Sequence, residues 1–191
     1  LYYQRVGLLA AEALRPFDIR HDGSLFGEGA AALVLETAAA AAARGAPLLG
    51  EILGGGVAGE ALGLLGIRDD GDGVARAIEL ALADAGIAAA DVGMIVAHGN
   101  GTRLSDSSEA AALRRVFGAA MPPVTAFKWA FGHLIAAAGT IDTVLALEAL
   151  ARGEVPGLAT LAALDPDCAP LPVSRFAVPA AWRAAAATWL G

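Results

Sequence analysis

Two short runs constrain the fold more than anything else in the chain: Met94-Ile95-Val96-Ala97 and Val124-Thr125-Ala126-Phe127. The first is fully apolar and the second apolar but for Thr125, a pattern that marks short strands buried on both faces, as in a largely parallel sheet with helices on either side. Ser105–Phe117 between them reads as the crossover helix, with Asp106 and Glu109 near its start, where the helix dipole favours acids. The same alternation extends outward. Ala30–Glu36 reads as a buried strand continuing into an alanine helix that Gly45 stops, and Leu48–Leu53 as a second strand. Val74–Ala85 is apolar at helical spacing, with Gly86 as its C-cap. Gly132–Arg152 reads as a long buried helix, Pro156–Pro172 as loop, and Ala184–Leu190 as a last strand. The fold class is therefore α/β, one layered domain, with no linker or short repeat dividing it.

Composition narrows the function. Of 191 residues, 57% are hydrophobic, above the usual share of about 45–50%. Either codon bias toward alanine or a large face packed on another half or subunit accounts for the excess. With 13 basic and 20 acidic residues the formal net charge is −7, which argues against a phosphate-backbone binder and hence against nucleic acid as main partner. One cysteine makes no internal disulfide and no cysteine zinc site. The longest apolar stretch, Leu134–Leu150, is broken by Asp142 and Glu148, so no membrane span is expected. No charged-then-apolar leader opens the chain, and it starts at Leu1, so a cytoplasmic piece of something longer is expected.

The candidate chemistry sits where strands end. Gly54-Gly55-Gly56-Val57-Ala58-Gly59 satisfies G-x-G-x-x-G, but no helix opens there and the next acids lie in turn-rich sequence, so it reads as a glycine-rich loop. His98-Gly99-Asn100-Gly101-Thr102 follows the first apolar strand, and Lys128-Trp129-Ala130-Phe131-Gly132-His133 follows the other. Each histidine alone reads equally well as structural. In a parallel sheet, however, both strand ends open on one edge, where ligands of α/β folds bind. Two converging imidazoles could hydrogen-bond a carbonyl or carboxylate. A metal site is the rival, but no third ligand is identifiable. Lys128, entering apolar surroundings, needs a carboxylate, and Asp142 lies on the following helix. Cys168 has no activating base nearby and His21 reads as a turn residue. Ser105 lacks a nucleophile elbow.

At these residues the chain resembles a known family, the β-ketoacyl-acyl-carrier-protein synthases (ketosynthases) of the thiolase superfamily, over their C-terminal half. The resemblance runs from Arg15 to Gly191. It rests on Arg15-Pro16-Phe17-Asp18, Arg20-x-Asp22-Gly23, Phe26-Gly27-Glu28-Gly29 and Leu33-Val34-Leu35-Glu36, then His98-Gly99-x-Gly101-Thr102 with Asp106 and Glu109. Lys128 with Gly132-His133, Ala137-Ala138-Gly139 and Asp165-Pro166-Asp167-Cys168 complete it.

The resemblance implies decarboxylative Claisen condensation of malonyl-acyl carrier protein with an acyl thioester, in fatty acid or polyketide biosynthesis. His98 and His133 match the histidines that polarise the malonyl thioester, and Lys128 the lysine that organises the site. Asp142 stands at a glutamate position, a shorter carboxylate expected to reach Lys128 less well. Asp106 and Glu109 match acids bracing the histidine loop. Asn100 replaces the first threonine of His-Gly-Thr-x-Thr, and with Thr102 it falls where the pantetheine arm is held. Trp129 and Phe131 put aromatic bulk beside the site.

The implied fold is the C-terminal half of the duplicated thiolase-like fold, a mixed five-stranded sheet covered by helices, over residues 1–191. The N-terminal half, with the nucleophilic cysteine, is absent. That predicts an exposed apolar patch well over about 600 Å². No cofactor is expected, since substrates ride on the carrier's phosphopantetheine arm. Partners are acyl carrier protein, the missing half or a partner subunit, and a second copy or homologue in a dimer. The alternative is a non-catalytic, chain-length-factor-like partner. Such partners usually lack the cysteine and often the histidines, so His98, His133 and Lys128 together favour the enzyme.

Overall fold

The computed structural model describes residues 2–63, 66–180 and 185–187. In chain order the helices and strands are α1 (Tyr2–Arg5), α2 (Ala38–Ala43), α3 (Asp72–Ala85), β1 (Met94–Val96), α4 (Arg103–Phe117) and β2 (Val124–Thr125). There follow α5 (Lys128–Phe131), α6 (Ala138–Arg152), β3 (Glu154–Val155), β4 (Val178–Pro179) and β5 (Ala185–Ala187).

β1 lies between β2 and β5 and runs parallel to both, Ile95 opposite Val124 and Val96 opposite Ala187. Its side chains alternate between two cores. Ile95 and Ala97 join Val74, Ile78, Leu113 and Phe117 of α3 and α4 on one face. Met94 and Val96 join Phe127, Ala146 and Ala149 on the other. Burial on both faces, expected from the run of apolar residues, follows from this sandwiching. β3 and β4 form a separate antiparallel pair, Val155 opposite Val178.

Several elements sit as the pattern requires. α3 ends at Ala85, where left-handed Gly86 donates its N–H to Ala83 and Leu82. The glycine-rich loop lies against this helix: a Cβ on Gly56 would stand 2.0 Å from the Ala77 carbonyl oxygen, so these glycines serve close packing. α2 stops at Arg44–Gly45 as expected. β5 falls within the expected last strand, and the rest of Ala184–Leu190 lies outside the described residues.

Other elements differ. Ala30–Glu36 and Leu48–Leu53 were expected as buried strands, but neither joins a ladder and both are exposed. Val34 is 88% and Leu49 82% accessible. An apolar pattern encodes demand for burial, and the packing present among the described residues, such as Leu147 against Gly50, leaves these side chains exposed. The five strands accordingly divide into a three-stranded and a two-stranded sheet. Gly132–Arg152 is not one helix. Gly132 takes φ 83° at the end of α5, Ile135 takes φ 54°, and α6 starts only at Ala138. Nor is it buried all round, since only Ala138, Asp142, Ala146 and Ala149 are covered, a single stripe toward the sheet. Among the described residues no helix is long and apolar enough to cross a membrane.

Candidate active site

The end of β1 delivers His98 into a turn held by two buried carboxylates of α4. Glu109 accepts from the backbone N–H groups of His98 at 2.7 Å and Gly99 at 3.0 Å. One turn earlier, Asp106 accepts from Gly101 at 3.1 Å through Oδ1 and from Phe17 at 2.8 Å through Oδ2. Spacing of three residues puts both acids on one helix face, and bonds from N–H groups to ionised oxygens are the strong kind. Burial pushes the Asp106 carboxyl up, against the pull of its donors His21, Phe17 and Gly101.

The end of β2 delivers Lys128 and His133. Lys128 is fully buried and its Nζ lies 3.1 Å from Asp142 Oδ2, so the shorter acid does reach it, with one oxygen. Oδ1 of Asp142 is buried without a hydrogen-bond partner, and burial raises this carboxyl despite the lysine. Beyond α5 the chain crosses the Phe26–Gly29 loop at two glycines. A Cβ on Gly27 would stand 1.8 Å from the Phe131 carbonyl oxygen, and one on Gly132 2.6 Å from the Gly27 nitrogen. The crossing is fastened by His133 N–H donating to Leu25 at 2.6 Å and Gly27 N–H to His133 at 3.2 Å. The Phe26 ring stacks on His133 with centroids 6.4 Å apart.

These two arms bring the imidazoles of His98 and His133 to a centroid distance of 5.2 Å, at 87°. Burial pushes His98 well below its ordinary value, helped by the charge of Lys128 and by His133. Burial and Lys128 lower His133 to about 4. Both rings are thus neutral at pH 7. Nδ1 of His133 accepts from Ile135 N–H at 3.2 Å, which leaves the ring proton on Nε2. A neutral ring with its tautomer fixed by a backbone donor is a directed hydrogen-bond donor for an oxygen that gains charge.

Asn100 and Thr102 lie beside this pair and bind each other: Asn100 Oδ1 accepts from the Thr102 N–H at 2.9 Å and its hydroxyl at 2.8 Å. The Asn100 amide NH2 and the threonine oxygen's lone pairs remain for a ligand. Trp129 packs into the core with Ile95 and Phe131 into that with Phe127, so their bulk lies against the two cores. Cys168 is buried, and burial together with the charges of Asp106 and Asp165 pushes its thiol up to about 12, far from a nucleophile's range. Among the described residues no group of three His, Cys, Asp or Glu could hold a metal ion.

His21 is the residue the sequence placed only in part. It does close the expected turn, its N–H donating to the Asp18 carbonyl at 2.8 Å, but its ring is buried, 2% accessible, with Nδ1 2.9 Å from Asp106 and Nε2 3.2 Å from Asp165. These partners lie 85 and 144 residues away, so no local pattern signalled them. The one hint in the sequence was a histidine amid motifs that all proved structural.

Parallel strands under helices on both faces, with one histidine in the turn after β1 and a second beyond α5 meeting it, define a layered α/β domain with a paired-histidine site. The particular family follows from comparison: residues 49–162, more than half the chain, match the model described as beta-ketoacyl synthase, C-terminal domain. The chain belongs to the β-ketoacyl synthase family. It is 36% identical over 157 residues to the 3-oxoacyl-[acyl-carrier-protein] synthase 2 of Mycobacterium bovis, covering 82% of this chain and 38% of that protein. It is 38% identical over 160 residues to the tetracenomycin polyketide synthase ketoacyl synthase alpha subunit of Streptomyces glaucescens, covering 83% and 38%. The solved ishigamide ketosynthase/chain length factor superposes with a TM-score of 0.88 at 39% identity, over 93% of this chain and 44% of that one. The chain therefore spans well under half the length of these relatives.

Proposed function

We propose that this chain supplies the two-histidine half of a ketosynthase that condenses malonyl-acyl carrier protein with an acyl thioester. The observation that carries this reading is the His98–His133 pair, neutral and 5.2 Å apart, one after β1 and the other beyond β2 and α5. In the reaction the bond from the malonyl α-carbon to its carboxylate breaks, carbon dioxide leaves, and the electron pair forms an enolate whose charge lies on the thioester oxygen. Two imidazole N–H groups aimed at that oxygen bind it more strongly than the ground-state carbonyl, which is what accelerates the step. The enolate carbon then attacks an acyl thioester on a cysteine, whose thiolate departs. Cys168 is not that cysteine, and the reading places it in an N-terminal half on the same or a partner polypeptide.

Lys128, paired with Asp142, contributes positive charge that keeps both imidazoles neutral. Asn100 and Thr102 take the pantetheine arm. The exposed runs Ala30–Glu36 and Leu48–Leu53 complete a five-stranded sheet and an interlayer face once the other half is present. Their exposed residues Val34, Leu35, Leu48, Leu49, Ile52 and Leu53 support that. A cleft of about 270 Å³ is lined by Arg15, paired with Glu12, Arg20, paired with Asp18, and Arg175, which adds positive charge there for an acidic carrier protein despite the net −7. The assembly acts as a cytoplasmic dimer without a resident cofactor.

In the assembled synthase, His98→Ala or His133→Ala abolishes carbon dioxide release from malonyl-carrier protein. Unchanged release sinks the assignment. The similarity to a structure that includes a chain length factor favours a second reading, a non-catalytic partner subunit. A native assembly in which the polypeptide carrying this chain lacks a nucleophilic cysteine, while a separate ketosynthase subunit carries both the cysteine and its own histidines, would establish it.

A further inference from the structure

We propose that Phe26 is a positioning residue for condensation, its ring holding the His133 imidazole in the one orientation that aims Nε2 at the substrate oxygen. The inference rests on the ketosynthase reading of His133. Nδ1 of His133 is spent on the Ile135 N–H at 3.2 Å, so Nε2 alone is left to donate. That bond by itself does not fix the ring, because χ2 of a histidine turns in a broad well. A half-turn about χ2 exchanges Nε2 with Cε1 and takes the proton away from the oxygen it serves.

The backbone sets the two rings side by side. His133 N–H donates to the Leu25 carbonyl and the His133 carbonyl accepts from Gly27 N–H. Phe26 and His133 thus stand opposite each other in a parallel bridge, their side chains on one face. The rings are offset-stacked, 26° from parallel with centroids 6.4 Å apart, an arrangement that aromatic rings favour. Phe26 is itself braced by the Tyr3 ring, at 4.7 Å and 72°. The His98 ring meets His133 at 5.2 Å and 87°, so the imidazole is held by Phe26, His98 and Ile135 together. Phe26 belongs to neither of the two cores and is 44% accessible, so filling the interior does not account for it. The Ile135 donor is held under strain, since φ 54° is unfavourable for a β-branched residue. A strained donor at one edge of the ring and an exposed aromatic beside it share one use, which is to orient the imidazole.

The test compares Phe26→Leu, Phe26→Tyr and His133→Ala in the assembled synthase, with carbon dioxide release from malonyl-carrier protein followed. The bridge is made of backbone bonds, so Phe26→Leu leaves the crossing closed and removes only the flat ring. It is expected to lower kcat about 10-fold with KM little changed, as misdirection of a group that acts in the transition state does. Phe26→Tyr keeps the ring and is expected to stay within about 2-fold of the unaltered enzyme. A rise in KM at unchanged kcat would make Phe26 a wall of the substrate site, and equal losses in both variants would make it part of the scaffold. Either result overturns the proposal, as does a folded Phe26→Leu with the unaltered rate. NMR of the unmutated synthase, labelled in its histidines and phenylalanines, keeps it falsifiable if the variants do not fold. One His133 ring state is expected, protonated at Nε2 and close in space to the Phe26 ring, and two exchanging orientations overturn it. If His133→Ala leaves release unchanged, the ketosynthase reading fails. The His133 ring signals then still decide the positioning: broadened or doubled in Phe26→Leu supports it, and unchanged signals overturn it.

Discussion

His98 follows β1 directly and His133 follows β2 beyond α5, and their loops are held by opposite means. Around His98, two buried acids bind four backbone N–H groups, so the loop is fixed by charge. Around His133, the backbone is wedged against the Phe26–Gly29 loop at two glycines, so it is fixed by the absence of side chains, with one ion pair beneath. A loop held by charge fails when a charge is removed, and a loop held by contact fails when an atom is added.

The largest expected effect falls on the ion pair. Lys128→Met strands Asp142 in the interior and should cost about 3–5 kcal/mol of unfolding free energy by denaturant titration. The charge-swapped double variant should recover part of the loss, and strictly additive effects would remove the pair from the description. Next comes Gly27→Ala, expected to cost about 3 kcal/mol through overpacking, whereas Gly59→Ala, with nothing within 4 Å, should be near neutral. Equal costs would break the contact half of the comparison. Glu109→Gln keeps the shape and removes the charge. It should cost about 1–2 kcal/mol and slow carbon dioxide release, with backbone shifts confined to residues 98–101. Shifts at His133 instead would mean that the arms are not independently held.

Acid should act most gently. His133 falls from an ordinary 6.5 to about 4 in the folded protein, so between those values the unfolded chain binds a proton that the folded one does not. Stability therefore declines as pH falls from about 6.5 toward 4 and levels off below. His98, also held low, chiefly by burial, adds in the same direction. Melting temperatures at pH 7 and pH 5 should differ less in His133→Asn than in the unaltered protein.

The sequence made the strand ends and the turns after them legible because their causes are local. Four apolar residues in a row announce a strand buried on both faces, and a glycine before a histidine announces a turn. The bracing was legible for Asp106 and Glu109 only through resemblance. It was hidden for His21, whose partners arrive from segments 85 and 144 residues away. The split of Gly132–Arg152 was equally hidden, because hydrophobicity is blind to the φ of 83° that the Gly27 crossing imposes on Gly132. Ala30–Glu36 misled for a different reason. Its pattern reports that burial is wanted without saying by what.

That same run has a practical meaning for anyone expressing such synthases in pieces. Ala31-Ala32-Leu33-Val34-Leu35 is uncharged, free of proline and glycine, and exposed as an extended chain, the profile of a segment that zips with copies of itself. Only Glu28 ahead of it and Glu36, tied to Arg44, behind it stand as gatekeepers. Shelf life and inclusion-body formation of a separated half should turn on those few positions, and a lysine at Val34 is the economical place to begin.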